Sequence, residues 1–194
     1  MRIIGGRARG LKLAEVGAGD PAAHLRPTSD RVREAIFNLL VNGGYGNPLQ
    51  GARVLDLFAG TGALGLEALS RGATHTTFVE NGKTALALLT RNIALMRVEA
   101  ETSILRRDVR ALGPNPGPAF DVVFLDPPYG KAMGEAALEA ARASNWLAPQ
   151  SLIVWEEGSA PALPALADLG PTLLEPHASW MSRLTEDWAK RYTK

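Results

Sequence analysis

The sequence predicts an α/β fold in which helices cover both faces of a mostly parallel β-sheet. Strand and helix patterns alternate along most of the chain, and this order builds a parallel sheet. The predicted strands are short, nearly continuous apolar runs, as expected for strands buried on both faces. A glycine-rich segment, Gly60 to Gly65, lies between the first strand and the next helix, where ligand-binding loops occur in such sheets.

The first predicted element is an amphipathic helix that begins near Ser29 and ends at Asn42, before two glycines. Its apolar residues recur at spacings of three and four, which places them on one helical face. These residues are Val32, Ala35, Ile36, Leu39 and Leu40. Arg31 and Arg33 lie off this apolar face.

Strands and helices then alternate as far as residue 155. The predicted strands are 52–58, 76–79, 102–105, 122–125 and 152–155, and the predicted helices are 63–70, 83–96 and 134–144. Beyond Pro161 the pattern weakens. It indicates a short helix over 162–169 and the start of a strand at Leu173, whereas the polar stretch from Trp180 onward favours no single structure.

Length and composition fit one globular domain, with 194 residues of which 46% are hydrophobic and 21% charged. The absence of cysteine excludes disulfides and thiolate metal sites, and the three histidines lack the spacing of metal ligands. No apolar run resembles a signal peptide or approaches the length of a membrane span. We therefore expect a monomeric cytoplasmic protein with no bound metal.

Basic residues concentrate near the start of the chain, although the net charge is only +1. We predict a basic, flexible arm over residues 1–27 and a single catalytic domain over residues 28–194. The arm contains several glycines, among them Gly5, Gly6 and Gly10, that favour a pliable backbone. A pliable basic segment can order itself on a phosphate backbone, which makes nucleic acid a candidate partner.

Four carboxylates, Asp56, Glu80, Asp108 and Asp126, follow or end four successive predicted strands. The carboxyl ends of parallel strands meet at one edge of a sheet, so we expect these side chains to line one crevice. The loop after Asp56 matches the G-x-G-x-x-G pattern, which occurs in dinucleotide sites and in S-adenosyl-L-methionine sites.

The position of Asp56 distinguishes the two cofactors. In a dinucleotide site it would bring negative charge close to a pyrophosphate, whereas S-adenosyl-L-methionine carries a positive sulfonium and an ammonium. We therefore predict an S-adenosyl-L-methionine site in which Gly60 and Gly62 shape the loop. Glu80 would accept hydrogen bonds from the ribose diol, and Asp108 would meet the exocyclic amine of adenine.

The segment Asp126-Pro127-Pro128-Tyr129 follows the fourth predicted strand. Two prolines end the strand, and they leave a carboxylate and an aromatic ring at the edge of the sheet. This arrangement suits a flat base with an exocyclic amine. We predict that Asp126 and the Pro127 carbonyl accept the amine hydrogens, that Tyr129 stacks on the base, and that Asp126 accepts the proton released.

Four segments together resemble the bacterial 16S ribosomal RNA guanine-N2 methyltransferase family (RsmD-type). They are Met1 to Arg7, Arg26 to Asn38, Asp56 to Gly65 and Asp126 to Tyr129, and the R-P-T-S-D-R-V-R-E-A stretch is the most specific. The resemblance implies a seven-stranded, Rossmann-like class I fold. It also implies methylation of N2 on one guanine of 16S rRNA, within assembled or partly assembled 30S subunits.

The same resemblance suggests which basic residues contact RNA. The candidates are Arg7, Arg9, Arg26 and Arg31.

Three other functions explain some of these sequence features. An adenine-N6 DNA methyltransferase shares the chemistry and the Asp126 to Tyr129 motif, but such enzymes generally need a separate target-recognition region. A nicotinamide-dependent dehydrogenase explains Gly60 to Gly65 and Glu80, but not the Asp-Pro-Pro-Tyr segment. A non-catalytic RNA-binding module would predict a damaged cofactor loop or acceptor motif, and both are intact.

Overall fold

A computed structural model of the protein describes residues 1–15, 30–43, 45–128, 131, 133–156, 173–174 and 180–183. The α-helices are α1 (Asp30–Asn42), α2 (Ala63–Ser70), α3 (Lys83–Met96) and α4 (Met133–Ala143). The strands are β1 (Arg53–Leu57), β2 (His75–Val79), β3 (Thr102–Leu105), β4 (Phe120–Leu125), β5 (Leu147–Trp155), β6 (Leu173–Leu174) and β7 (Trp180–Arg183). Over these ranges, every helix is too short or too polar to span a lipid bilayer.

The strands form one sheet in the order β3-β2-β1-β4-β5-β7-β6. The first five are parallel to one another, whereas β7 runs antiparallel to both β5 and β6. The seven-stranded, mostly parallel sheet is thus confirmed. The chain winds outward from β1 to β3 and then returns to β4, so the sheet changes direction between β1 and β4. A crevice forms at such a switch point, beyond the carboxyl ends of the strands.

The two faces of the sheet bury separate parts of the core. On one face, Val54, Val122 and Phe124 pack with apolar residues of α1, α2 and α3. On the other face, Leu55 and Val123 pack with residues of α4 and with the turn at 109–112. Successive strand residues point to opposite faces, so both must be apolar, and this explains the continuous apolar runs.

The buried face of α1 includes Ile36 and Leu40, as predicted, and Val32 and Leu39 pack partly buried against the same core. It also includes Arg33 and Phe37, which were not predicted, whereas Ala35 is exposed. The ring centroid of Phe37 lies 5.6 Å from that of Phe124 on β4, which fixes the rotation of the helix. Arg33 is therefore fully buried. Its Nη2 donates to the Arg2 carbonyl at 2.7 Å and to Asp30 Oδ1 at 2.5 Å, while burial lowers the pKa of the guanidinium.

Residues 1–15 fold back on themselves, and we call them the N-terminal hairpin. The Ile3 amide donates to the Leu11 carbonyl at 2.9 Å, and Arg2 pairs with Lys12 in an antiparallel bridge. Ile3 and Leu13 are buried in the same core cluster as α1 and α2. These residues therefore belong to the packed domain.

The hairpin lies along α2 and is fixed to it by polar contacts. Glu67 accepts the amides of Ile4 and Gly5 at 2.7 and 2.8 Å, and the Ser70 hydroxyl donates to the Gly5 carbonyl at 2.5 Å. Gly6 has a φ of +75°, and a Cβ there would stand 1.8 Å from the Ser70 carbonyl oxygen. The glycine permits close packing on the helix.

The predicted flexible arm over residues 1–27 therefore differs from the structure over its first half, because buried apolar side chains and hydrogen bonds to α2 hold residues 1–15. The boundary at residue 27 lies outside the described residues, and the division into arm and domain stays a prediction.

Candidate active site

The carboxyl ends of β1, β2 and β4 meet at the switch point. Leu57, the last residue of β1, pairs with Val79 on one side and with Leu125 on the other. The residues that come next in each strand are Phe58, Glu80 and Asp126, so the glycine loop and the Asp-Pro-Pro segment leave the sheet side by side. This edge is the candidate active site.

The loop after β1 has a backbone shape that depends on positive φ angles. Phe58, Gly60 and Gly62 have φ values of 64°, 55° and 82°. The Gly60 amide donates to Glu80 Oε2 at 2.8 Å, which joins the loop to the end of β2. A Cβ at Gly62 would stand 2.4 Å from Leu89 Cδ1, so the loop lies directly against α3.

Glu80 is held by three backbone amides. Besides Gly60, the amides of Asn81 and Gly82 donate to its Oε1 at 2.8 and 2.7 Å. A carboxylate offers about four acceptor sites, so about one remains for a ligand. The predicted pair of hydrogen bonds from a ribose diol would need two acceptor positions on Glu80, and the three amides leave about one.

Asp56 lies deeper than expected, one residue before the end of β1, and is 1% exposed. Its Oδ2 accepts the Gly65 amide at 2.9 Å, so it supports the first turn of α2 from below. Burial raises the pKa of this carboxyl to about 8, and the charges of Asp126 and Glu80 add to the effect. The charges of Glu80 and Asp126 therefore both act on the Asp56 carboxyl.

Asp108 lies three residues beyond the end of β3, and its carboxylate pairs with Arg110, which the sequence did not indicate. Its Oδ1 accepts the Arg110 amide and Nε at 2.8 and 2.9 Å, and its Oδ2 accepts Arg110 Nη2 at 2.6 Å. These hydrogen bonds lower the pKa of Asp108 to about 2. An adenine amine at Asp108 would therefore share the carboxylate with Arg110.

The predicted acceptor motif follows β4 directly. Asp126 is half-buried, Pro127 is buried and Pro128 is exposed. The Leu125 carbonyl accepts the Glu156 amide at 2.8 Å, which anchors the end of β4 to the end of β5. Tyr129 lies outside the described residues, so its stacking role stays a prediction.

Of the candidate RNA-contact residues, Arg7 lies away from these carboxylates. Arg7 forms an ion pair with Glu101, which precedes β3 and therefore lies at the opposite edge of the sheet. Arg9 and Arg31 are exposed, on the hairpin turn and on the first turn of α1. Arg26 lies outside the described residues.

One side chain that holds the loop, that of Asn92, is not among the residues predicted from the sequence. Asn92 on α3 is fully buried, and its Nδ2 donates to the Thr61 carbonyl at 2.9 Å. An informative signal was present, because Asn92 falls on the same helical face as the buried Ala85 and Leu89. A polar residue on a buried face needs a hydrogen-bond partner, so its position indicates a structural or functional contact.

The electrostatics of the site favour a cationic ligand over a pyrophosphate. Glu80 and Asp126 lie at this edge, and repulsion from their charges adds to the raised pKa of the buried Asp56. A sulfonium or an ammonium would relieve that repulsion, whereas phosphate groups would increase it. Within the part of the chain that the structure describes, no group of three or more His, Cys, Asp or Glu residues is placed to hold a metal ion.

Comparison with known proteins gives matches over most of the chain. A family profile described as Conserved hypothetical protein 95 matches residues 1–169. The chain is 36% identical over 168 residues to ribosomal RNA small subunit methyltransferase D of Escherichia coli, which covers 85% of this chain and 80% of that protein. The protein of the same name in Haemophilus influenzae is 40% identical over 159 residues, with 80% and 78% covered.

A solved structure agrees over nearly the whole length. A candidate methyltransferase from Escherichia coli, yhhF, superposes with a TM-score of 0.76 at 30% identity. The match covers 96% of this chain and 98% of that one.

Proposed function

This chain belongs to the Conserved hypothetical protein 95 family, that of the ribosomal RNA small subunit methyltransferases D, and from this we propose that it methylates 16S rRNA. The methyl group comes from S-adenosyl-L-methionine. It is transferred to the exocyclic N2 of one guanine, guanine 966. The substrate is an assembled or partly assembled 30S subunit in the cytoplasm.

One observation carries the proposal. The glycine loop and Asp126 follow two strands that are direct neighbours in the sheet, with Leu57 paired to Leu125. A donor held by the loop and an acceptor held by Asp126 therefore meet in the same crevice. Such alignment can supply up to about 7–11 kcal/mol of the reduction in barrier.

The residues on the donor side fit S-adenosyl-L-methionine. When bound, this cofactor supplies an electrophilic methyl group on a positively charged sulfur. We assign its binding to the loop at Gly60 and Gly62, to Glu80 and Asp108, and to Asp56, which supports the loop from beneath through the Gly65 amide. The positive φ angles at the two glycines and the surplus of carboxylates support this assignment.

On the acceptor side, Asp126 and the Pro127 carbonyl hold the two hydrogens of the guanine amine. The lone pair of this amine is delocalised into the ring, which makes the nitrogen a poor nucleophile. Because the two acceptors hold both hydrogens, the lone pair would point toward the methyl donor. The N–C bond would form as the S–CH3 bond of the donor breaks, which leaves the donor sulfur as a neutral thioether, and Asp126 would accept the proton released from the amine. Tyr129 would fix the plane of the base, with stacking worth about 1–3 kcal/mol.

RNA binding is assigned to Arg7, Arg9, Arg26 and Arg31. A base inside a duplex is out of reach of Asp126, so the target base must be single-stranded or flipped. The relatives described above are named for ribosomal RNA, and this favours rRNA guanine over adenine in DNA.

The test is methyl transfer to defined substrates. Purified protein is incubated with labelled S-adenosyl-L-methionine and either 30S particles or naked 16S rRNA from cells that lack the enzyme. Nucleoside analysis is expected to give N2-methylguanosine. Labelled N6-methyladenine on a DNA substrate would support the alternative enzyme, and no transfer to any of the three substrates would overturn the proposal.

A further inference from the structure

Asn92 joins the N-terminal hairpin to the glycine loop. Its Oδ1 accepts the Ala14 amide at 2.6 Å, and its Nδ2 donates to the Ala14 carbonyl at 3.0 Å. The second Nδ2 hydrogen reaches the Thr61 carbonyl at 2.9 Å. One buried side chain therefore bridges two segments that are far apart in sequence, with both amide hydrogens in use.

Thr61 stands at the centre of the loop, between Gly60 and Gly62. The Gly60 amide is tied to Glu80 on one side, and Asn92 holds the Thr61 carbonyl on the other. The loop backbone is thus fixed from two directions. Without Asn92, the carbonyl of Thr61, which is 7% exposed, would lose this hydrogen bond, and the loop would keep its tie to Glu80 alone of the two.

The hairpin also contacts Thr61 directly, and further hydrogen bonds hold it on α2. Met1 Sδ accepts the Thr61 hydroxyl at 3.8 Å. Farther along α2, Glu67 and Ser70 hold the hairpin at Ile4, Gly5 and Ala8. Glu67 and Ser70 therefore hold the segment from Ile4 to Ala8 on α2, whereas the Ala14 end of the hairpin reaches the loop through Asn92.

We propose that Asn92 is a positioning residue for the cofactor loop, and that the Ala14 end of the docked N-terminal hairpin contributes to cofactor binding through Asn92 without touching the cofactor. The inference rests on the proposed function, because it assumes that the loop binds S-adenosyl-L-methionine. It adds that cofactor affinity depends on the contact between Ala14, Asn92 and Thr61.

The first test uses Asn92→Leu, which keeps the size of the side chain and removes its hydrogen bonds. We expect KM for S-adenosyl-L-methionine to rise about tenfold, as for the loss of one buried hydrogen bond, while kcat at saturating cofactor changes less than about threefold. The base site remains intact, so KM for the cofactor is expected to change much more than kcat. General damage to the fold would lower kcat as well.

Ser70→Ala is the matched control. Ser70 is also buried, and its hydroxyl accepts the Ala8 amide at 2.9 Å and donates to the Gly5 carbonyl. The substitution loosens the hairpin at the far end of α2 and touches neither Thr61 nor Asn92. Its KM for the cofactor is expected to stay near that of the unaltered protein, at a comparable loss of thermal stability.

A second measurement needs no variant. Amide hydrogen exchange is followed in the unaltered protein with and without S-adenosylhomocysteine. The Ala14 amide, which is bonded to Asn92, is expected to gain at least about tenfold protection when the ligand binds. The Ala8 amide, which is bonded to Ser70, is expected to change little.

The outcomes separate the two proposals. If the unaltered protein binds neither S-adenosyl-L-methionine nor its product, the proposed function fails. If it binds and transfers methyl groups, the inference is overturned by an unchanged KM in Asn92→Leu or by equal protection changes at Ala8 and Ala14. A raised KM with selective protection at Ala14 supports it.

Discussion

Asp126 is the residue on which the proposed chemistry depends most directly. Replacing it with alanine removes the acceptor for an amine hydrogen and for the departing proton, so kcat is expected to fall by about 100- to 10,000-fold. Affinity for S-adenosyl-L-methionine should change only a few fold, because the loop is held by Glu80 and Asn92. Single-turnover kinetics and calorimetric titration with the cofactor measure the two effects.

The same strand offers a control for Asp126. Asp121 is exposed at the other end of β4 and accepts the Arg53 amide at 2.8 Å. Asp121→Ala is expected to keep nearly full turnover. Near-normal turnover in Asp126→Ala would remove the carboxylate from the mechanism.

Asp56 leads to a prediction about pH. The folded protein retains its proton up to a pKa of about 8, whereas the ordinary value is 3.8. Between these values the folded state binds more protons than the unfolded state, so the free energy of unfolding falls as the pH rises. One residue can contribute at most about 1.4 kcal/mol per pH unit to this slope.

The measurement is urea unfolding between about pH 5 and 8 without cofactor. Asp56→Asn cannot ionise, so its curve is expected to be flatter than that of the unaltered protein. Asp121→Asn serves as the exposed control and should keep the original slope. Parallel curves for Asp56→Asn and the unaltered protein would mean that Asp56 is ionised throughout.

At the residue scale, the sequence predicted the positions that follow strands and missed those that are buried among apolar side chains. Glu80 and Asp126 stand directly after β2 and β4, as expected from apolar runs that end in a carboxylate. Arg33 and Asn92 were missed, because helical spacing alone does not show which polar residue will find an internal partner. In both, one of the partners is a carbonyl of the hairpin, that of Arg2 for Arg33 and that of Ala14 for Asn92.

Among the elements, the connection from β1 to α2 is the most sensitive to substitution. Gly62→Ala would adopt a φ of +82° and place its Cβ 2.4 Å from Leu89 Cδ1. We expect a loss of about 1–3 kcal/mol of stability from strain and repacking, together with weaker cofactor binding. Thermal unfolding and cofactor titration provide the measurements.

Gly51→Ala is the control that separates backbone strain from steric contact of the added Cβ. Gly51 has a similar φ of +77°, but a Cβ there would meet nothing within 4 Å. It should lose less stability than Gly62→Ala and keep its cofactor affinity. Equal losses in the two variants would show that backbone strain, and not contact with α3, dominates at Gly62.

The elements themselves differed in how well they could be predicted. The bounds of α2 and α3 match the predicted ranges, because each helix has a dense apolar pattern that begins directly after a glycine, Gly62 or Gly82. Strand β7 was not predicted, since Trp180–Arg183 shows no alternation and is recognised through its antiparallel pairing with β5. The helix predicted over 162–169 lies outside the described residues.

The N-terminal hairpin was the largest difference at this scale. Its glycines were interpreted as a source of flexibility, yet Gly6 is needed where the chain passes within contact of the Ser70 carbonyl. A glycine permits both a loose chain and a very close approach. Only the position of α2 distinguishes the two, and sequence pattern does not provide that position.

At the scale of the whole molecule, RNA binding is expected to depend on exposed charge outside the crevice. Reversing Arg9 and Arg31 to glutamate should weaken rRNA binding and lower the slope of log affinity against log salt by up to about two, because each phosphate contact contributes about 0.7–0.9. Cofactor affinity without RNA should not change. Filter binding over a range of salt concentrations measures the slope.

The control carries the same change in charge elsewhere. Arg91 and Arg97 are exposed on or just after α3, and their reversal to glutamate should have a smaller effect on the slope. An equal loss in both double variants would indicate a general response to net charge, with no specific role for Arg9 or Arg31.

The hairpin also sets an order of events during synthesis. Residues 1–15 leave the ribosome before their partners Glu67, Ser70 and Asn92, which lie 62 to 78 positions later in the contacts with Gly5, Ala8 and Ala14. Until α3 has emerged, Ile3 and Leu13 have no completed surface to cover them. The hairpin therefore cannot dock until the first half of the chain has been made, and long-range closure of this kind slows folding.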